Sequence, residues 1–180
     1  GSKKLDRSKH GKTRIEQLKE NGARFCSDLR NVNKALPNEK MTQLPQFNVM
    51  CPMLAAKKIC CFDIRSGYFS VLLDEEAKKI FGFQVDNEYY VYTRLVQGFK
   101  NSVAIFQNLM SKVFSEEAWD RYRKHVKCLE NLNYQDTFSI YVDDLVAAVY
   151  TLEQMFYCAE FALMCVKNAG LKFHPKKMSI

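Results

Sequence analysis

The sequence predicts an α+β fold built on an antiparallel sheet, and three observations carry that reading. Short apolar runs of strand length stand at 58–64, 138–142 and 145–149. Two longer stretches, after Asn101 and after Thr151, carry apolar residues at helical spacing. Acidic residues sit at the ends and joints of the short runs, where a chain designed only to pack would place apolar or turn residues. In chain order the elements read strand, helix, hairpin, helix, the pattern of helices gathered on an antiparallel sheet.

The elements follow in order. Residues 3–14 are polar, and Gly1-Ser2 resembles a cloning remnant more than native sequence. Glu20-Asn21-Gly22-Ala23 reads as a hairpin turn before Arg24–Asp28. Pro37, Pro45 and Pro52 punctuate an irregular stretch that ends in a short helix at Met53–Lys57. Lys58–Ile64 is a buried strand interrupted by Asp63. Phe81–Val85 and Glu88–Thr93 form a hairpin around Asp86-Asn87. Asn101 or Ser102 caps a helix with Val103, Phe106, Leu109, Met110, Val113 and Phe114 on its apolar side. The charged residues 115–136 extend that helix and then form a loop or insertion. Thr151 and Gln154 make a capping box for a helix that places Leu152, Met155, Phe156, Ala159, Leu163 and Val166 on one face, and Gly170 ends it.

Composition bounds the function. At 180 residues, 47% hydrophobic and 26% charged, the chain has the balance of one domain or two closely packed subdomains, and not of a disordered one. No apolar run reaches the length of a bilayer-spanning helix. Seven scattered cysteines without a secretory segment read as reduced thiols in an intracellular protein, and the three histidines stand at no zinc-ligand spacing from a cysteine pair. The net charge is +7. Residues 1–40 hold eleven Lys and Arg against five Asp and Glu, so the excess is concentrated there. A localised basic surface suits nucleic-acid phosphates, and equally describes a solvated arm.

The acids carry the chemistry. In Tyr141-Val142-Asp143-Asp144, two adjacent carboxylates occupy a hairpin tip where Asn-Gly would be expected of a purely structural turn. Asp63 ends the other apolar strand that bears an acid, and antiparallel pairing beside the hairpin would bring it next to Asp143. Hard oxygen ligands in such a set suit Mg²⁺, and three carboxylates suffice for two ions of a phosphoryl-transfer site.

Five segments in order then resemble the motifs of reverse transcriptases. Phe62-Asp63-Ile64-Arg65-Ser66-Gly67-Tyr68 resembles motif A, Leu95-Val96-Gln97-Gly98-Phe99-Lys100-Asn101-Ser102 motif B, and Tyr141-Val142-Asp143-Asp144 motif C. Residues 24–34 are similar to the fingers motif, and residues 170–177 to motif D of gypsy-like LTR elements. The resemblance covers most of residues 19–177. It implies a polymerase palm, an antiparallel sheet with helices on one face, at 38–70 and 102–180, with a small β-rich fingers subdomain at 1–37 and 71–101. It implies RNA-directed DNA synthesis on an RNA or DNA template with primer and deoxynucleotides. Two Mg²⁺ ions, replaceable by Mn²⁺, would be bound by Asp63, Asp143 and Asp144.

Further roles follow from the same resemblance. Tyr68 stands at the steric gate against a ribose 2′-hydroxyl, Arg24 over the incoming triphosphate with Lys19 as a second contact, and Gln97 and Gly98 in the nucleotide pocket. Lys176 or Lys177 is the general acid for the leaving group. Tyr89, Tyr90 and Tyr92 either touch template bases or belong to an ordinary hairpin. Thumb, connection and RNase H segments are missing after motif D, so the chain is either part of a longer polyprotein or a short co-opted protein. The alternative to catalysis is a non-catalytic nucleic-acid-binding or assembly module with a polymerase fold. RNA-templated RNA synthesis is a third reading, which Tyr68 disfavours.

Overall fold

The computed structural model describes residues 26–39, 55–85 and 87–179. In chain order its elements are α1 (Arg30–Ala35), β1 (Lys58–Asp63), α2 (Gly67–Ser70), α3 (Glu75–Ile80), β2 (Gly82–Val85), β3 (Glu88–Val91), α4 (Ser102–Val113), α5 (Glu116–Arg123), α6 (Tyr134–Thr137), β4 (Phe138–Tyr141), β5 (Asp144–Val149) and α7 (Leu152–Asn168). Single 3₁₀ turns form at Lys127–Leu129 and Pro175–Lys177. The expected turn at 20–23 lies outside the described residues, as does the start of the helix expected at 53–57.

The three apolar runs pair as one antiparallel sheet in the order β1-β5-β4. Alternation along each strand sends Cys60, Phe62, Leu145, Ala147, Val149, Phe138 and Ile140 into one buried layer. Helices α4 and α7 cover that layer with Phe106, Met110, Met155, Cys158, Phe161, Ala162 and Cys165. The opposite face carries Asp63 and Asp144. After α7 the chain returns along the free edge of β1. Ile64 bridges to Phe173, and Cys61 exchanges two backbone hydrogen bonds with Ser179, at 2.9 and 3.0 Å.

Residues 115–136 differ from expectation. They neither extend α4 nor form a loose insertion. Phe114 ends α4 in a non-helical conformation, and Ser115 starts a new helix by accepting a hydrogen bond from the Ala118 N–H. The charged segment is anchored by Trp119, which is 0% exposed. Its ring packs edge-on against Phe138 at 4.9 Å and Phe161 at 5.1 Å, and its indole N–H donates to the Leu132 carbonyl. A tryptophan buried with its polar atom satisfied brings a large apolar area into such a core without leaving a donor unpaired.

Helix α7 begins with the expected capping box, with Thr151 and Gln154 bonding each other's backbone, and ends before Gly170 at φ 67°. Its buried side is rotated from the expected one. Met155, Ala159 and Val166 are buried, but Leu152, Phe156 and Leu163 are exposed, and Cys158, Phe161, Ala162 and Cys165 face the sheet. Small side chains at 158, 159, 162 and 165 let the helix approach the strands closely, which outweighs the larger apolar area left outside.

A second cluster joins Leu29, Phe81, Leu95, Val96 and Phe99. It underlies the two-stranded sheet β2-β3, whose hairpin turn was expected, and α3, which was not. Asp74 caps α3 by accepting from the Ala77 N–H, with Glu75 and Glu76 in its first turn and Lys78 and Lys79 in its last. Tyr68 and Val71 pack against both clusters. Among the described residues the six cysteines are free, and no helix is long and apolar enough to cross a membrane.

Candidate active site

Strand register decides which acids meet. Asp63, the last residue of β1, lies directly opposite Asp144, the first of β5, and Asp144 also pairs with Tyr141 of β4. Directly opposed residues of an antiparallel pair share a face, so the two carboxylates leave the same side of the sheet. The partner of Asp63 is therefore Asp144 rather than Asp143. Asp143 sits in the two-residue turn between the strands, and its carbonyl accepts from the Ile64 N–H at 2.7 Å. Backbone placement thus brings Asp63, Asp143 and Asp144 to one end of the sheet.

The turn is strained. Val142 adopts φ 57°, a left-handed conformation that costs a β-branched residue about 1–3 kcal/mol. Gln107 of α4, only 2% exposed, holds it there. Its amide oxygen accepts from the Val142 N–H at 2.7 Å, and its amide nitrogen donates to the Ile140 carbonyl at 3.1 Å. Sequence reasoning passed over Gln107. The available signal was a lone amide on the apolar side of a helix, between Phe106 and Met110, where a polar group has to find partners.

Electrostatics concentrate on the same spot. Burial pushes the Asp144 carboxyl above the ordinary aspartate range, and the charges of Asp143 and Asp63 push it the same way, partly offset by the Lys177 ammonium. Lys177 Nζ bonds Asp63 Oδ2 at 2.8 Å. That bond raises the lysine above its usual value, and the fields of all three acids add to it. The backbone of His174 donates to the Asp63 carbonyl, and the 3₁₀ turn at Pro175–Lys177 then aims Lys177 back at the acids. Of the two lysines left open by sequence, both are exposed, and Lys177 is the one in contact with Asp63.

The donor chemistry fits a divalent cation: hard carboxylate oxygens, mutual repulsion, and an ammonium already drawn in as counter-charge. The side chains do not present a formed cage. Among the described residues, no group of three or more His, Cys, Asp or Glu is arranged to hold a metal. The Asp63 carboxylate is turned to Lys177, so convergence requires that ion pair to open.

Tyr68, in α2, is half-buried, with its ring centroid 5.4 Å from that of Phe106. Burial raises its hydroxyl pKa, and the Asp143 charge adds to the effect. Gly67 makes room for this packing, since a Cβ there would stand 2.6 Å from Phe106 Cζ. Gln97 and Gly98 lie exposed on the loop before α4. Gly98 has φ +86° and no atom within 4 Å of an added Cβ, so conformation rather than space requires glycine. Asn33 grips this loop at both ends, donating to the Gly98 carbonyl and accepting from the Lys100 N–H, each at 2.9 Å. Asn101 occupies the cap position of α4 without capping it. Its side chain instead donates to the Pro37 carbonyl and accepts from the Glu39 N–H. Arg24 and Lys19 lie outside the described residues.

An antiparallel sheet covered by helices on one face, with three carboxylates where a strand end meets a tight hairpin, defines the palm of a nucleic-acid polymerase. The sequence model of the reverse transcriptase (RNA-dependent DNA polymerase) family matches residues 9–180, and the chain belongs to that family. It is 29% identical over 157 residues to the retrovirus-related Pol polyprotein from transposon 412 of Drosophila melanogaster, covering 87% of this chain and 11% of that one. It is 29% identical over 158 residues to the enzymatic polyprotein of cauliflower mosaic virus (strain NY8153), covering 87% and 21%. Among solved structures, the foamy viral protease-reverse transcriptase in complex with an RNA/DNA hybrid shares the fold with a TM-score of 0.67 at 22% identity, over 85% of this chain and 18% of that one. The dRH form of that protein in complex with double-stranded DNA does so with a TM-score of 0.69 at 21% identity, over 92% and 30%. The chain spans less than a quarter of the length of these curated relatives.

Two outcomes follow from the site. Gln107→Leu leaves the Val142 N–H and Ile140 C=O unsatisfied and lowers the unfolding free energy by about 1–3 kcal/mol in chemical denaturation. A raised native carboxyl pKa means that ionised Asp144 opposes folding, an effect absent below the unfolded pKa and complete above the folded one. Asp144→Asn therefore raises the melting temperature of the metal-free chain at neutral pH, and the gain shrinks as pH falls through the raised Asp144 pKa.

Proposed function

We propose that this chain is the fingers-and-palm part of an enzyme that synthesises DNA on an RNA or DNA template by two-metal phosphoryl transfer. The observation that carries the reading is the register that sets Asp63 opposite Asp144 beside the strained Asp143 turn, with a lysine drawn onto the acids. Asp63, Asp143 and Asp144 would hold Mg²⁺, for which Mn²⁺ can substitute. Bound there, the cations would supply Lewis-acid activation of a primer hydroxyl and neutralisation of charge on the leaving diphosphate.

The remaining roles belong to the chain itself. The ring of Tyr68, braced by Phe106, narrows the space beside the acids and disfavours a ribose 2′-hydroxyl. Gln97 and Gly98 line the nucleotide pocket on a loop steadied by Asn33, and Arg24 contacts the triphosphate. Lys177, released from Asp63, is placed to give a proton to the departing diphosphate oxygen, and Lys176 is the alternate donor. Residues 71–101, with the part of 1–37 that is described, form the fingers around the second apolar cluster. Residues 102–180, with the described part of 38–70, form the palm. A foamy viral relative by fold has been solved with an RNA/DNA hybrid and with double-stranded DNA, and primed duplexes of this kind are the proposed partners here.

One observation favours a second reading, a nucleic-acid-binding module without catalysis. Residues 1–40 carry eleven Lys and Arg against five Asp and Glu, an excess that suits nucleic-acid phosphates whether or not the acids catalyse. Primer extension separates the two. Carried on the polypeptide in which this chain is encoded, with Mg²⁺ and deoxynucleotides, extension is abolished by Asp143→Ala or Asp144→Ala. Salt-sensitive duplex binding with no extension by the unsubstituted protein would instead establish the binding module. In the same assay Tyr68→Ala admits ribonucleotides, and unchanged sugar selectivity would remove Tyr68 from the gate.

A further inference from the structure

Away from the acids, three cationic side chains line one cleft. Arg65 follows β1, Arg94 follows β3 and Lys172 follows α7, and with Ser66 and Ser70 they surround a volume of about 470 Å³. No carboxylate lines the cleft, and none of the three cations has an acidic partner among the described residues. All three are exposed.

Their placement is built into the backbone. The Arg65 N–H donates to the Lys172 carbonyl at 2.8 Å, and Ile64 bridges to Phe173 beside it. Arg94 is bridged to Leu72, and its guanidinium donates to the Ser70 carbonyl at 3.0 Å. Three segments distant in sequence therefore present like charges to one concavity, and among the described residues no carboxylate pairs with them. Guanidinium forks and an ammonium flanked by hydroxyls are the donor set for phosphate oxygens.

The shape selects the kind of phosphate. A nucleic-acid strand is tracked by a groove of successive cations and several stacking rings, whereas here the cations converge on one open concavity that carries a single exposed ring, Phe69. We propose that this cleft is a binding site for a small oligophosphate, such as inorganic pyrophosphate or tripolyphosphate. It uses none of Asp63, Asp143, Asp144 or Lys177, and needs no divalent cation to form.

Titration calorimetry of the whole chain with inorganic tripolyphosphate in metal-free buffer tests this. One saturable site is expected. Arg65→Gln and Lys172→Gln each weaken it about tenfold, as loss of one charge-assisted contact does, and binding is retained in Lys177→Gln. Thermal melts of the two variants stay close to the unsubstituted chain, because both side chains are exposed. Four outcomes overturn the proposal. The chain binds no tripolyphosphate. The affinity is indifferent to both cation substitutions. The affinity is lost in Lys177→Gln, which would assign the anion to the ammonium at the acid site. Or the same substitutions weaken only a single-stranded oligonucleotide, which would assign the cleft to a strand backbone. Because no metal or primer is present, the result is independent of whether the acids catalyse synthesis.

Discussion

Like charge held at close quarters is the constraint on which this structure turns. The β1-β5 register forces Asp63 and Asp144 onto one face, and the tight hairpin places Asp143 beside them. Neither the repulsion nor the left-handed Val142 is favourable alone. Both persist because neighbouring groups over-determine the backbone: Gln107 holds the turn from below, the Ile64 N–H holds it from the side, and Lys177 supplies counter-charge. The strain at Val142, about 1–3 kcal/mol, is of the same size as the penalty for orphaning the groups that Gln107 satisfies. Helix α4 thus serves the hairpin as much as the core.

Side-chain amides do comparable work elsewhere. Asn33 and Asn101 join residues 33–39 to the loop before α4, and Gln154 closes its capping box while donating to the Cys128 carbonyl. Each uses a donor and an acceptor together, so it fixes both position and orientation of the backbone it touches. This matters most for residues 26–39, where Leu29 is the one buried hydrophobic residue. Polar stapling there adds to the packing of Leu29, Val32 and Leu36 on the second cluster and holds the loop bearing Gln97 and Gly98 in place.

The sheet, its hairpin and the approach of Asp63 to that hairpin were legible in the sequence because short apolar runs interrupted by carboxylates are local signals, whereas the pairing of Asp63 with Asp144 rather than Asp143 depends on the strand register. The capping box at Thr151 was equally plain. The buried face of α7 was not, since a pattern of large apolar residues points to Phe156 and Leu163, whereas close packing on a sheet selects Cys158, Ala159 and Ala162. Helix α5 was hidden by its charge: Trp119, with Tyr122 beside it, outweighs six polar or small neighbours in energy but not in pattern. Gln107 and Asn33 could not be read as supports, because their partners lie 33 to 67 residues away and are backbone groups that carry no side-chain signature. The contact of Lys177 rather than Lys176 with Asp63 likewise depends on a turn whose position is set by β1.

Trp119 has one more implication. It is the sole tryptophan of the chain, sealed among Phe138, Phe161 and Tyr122 where α5, β4 and α7 meet. The intrinsic fluorescence of the molecule consequently has a single dominant origin. Its emission stays at short wavelength while that junction is dry and shifts to the red when water enters, giving an optical readout of the palm interior without any added label.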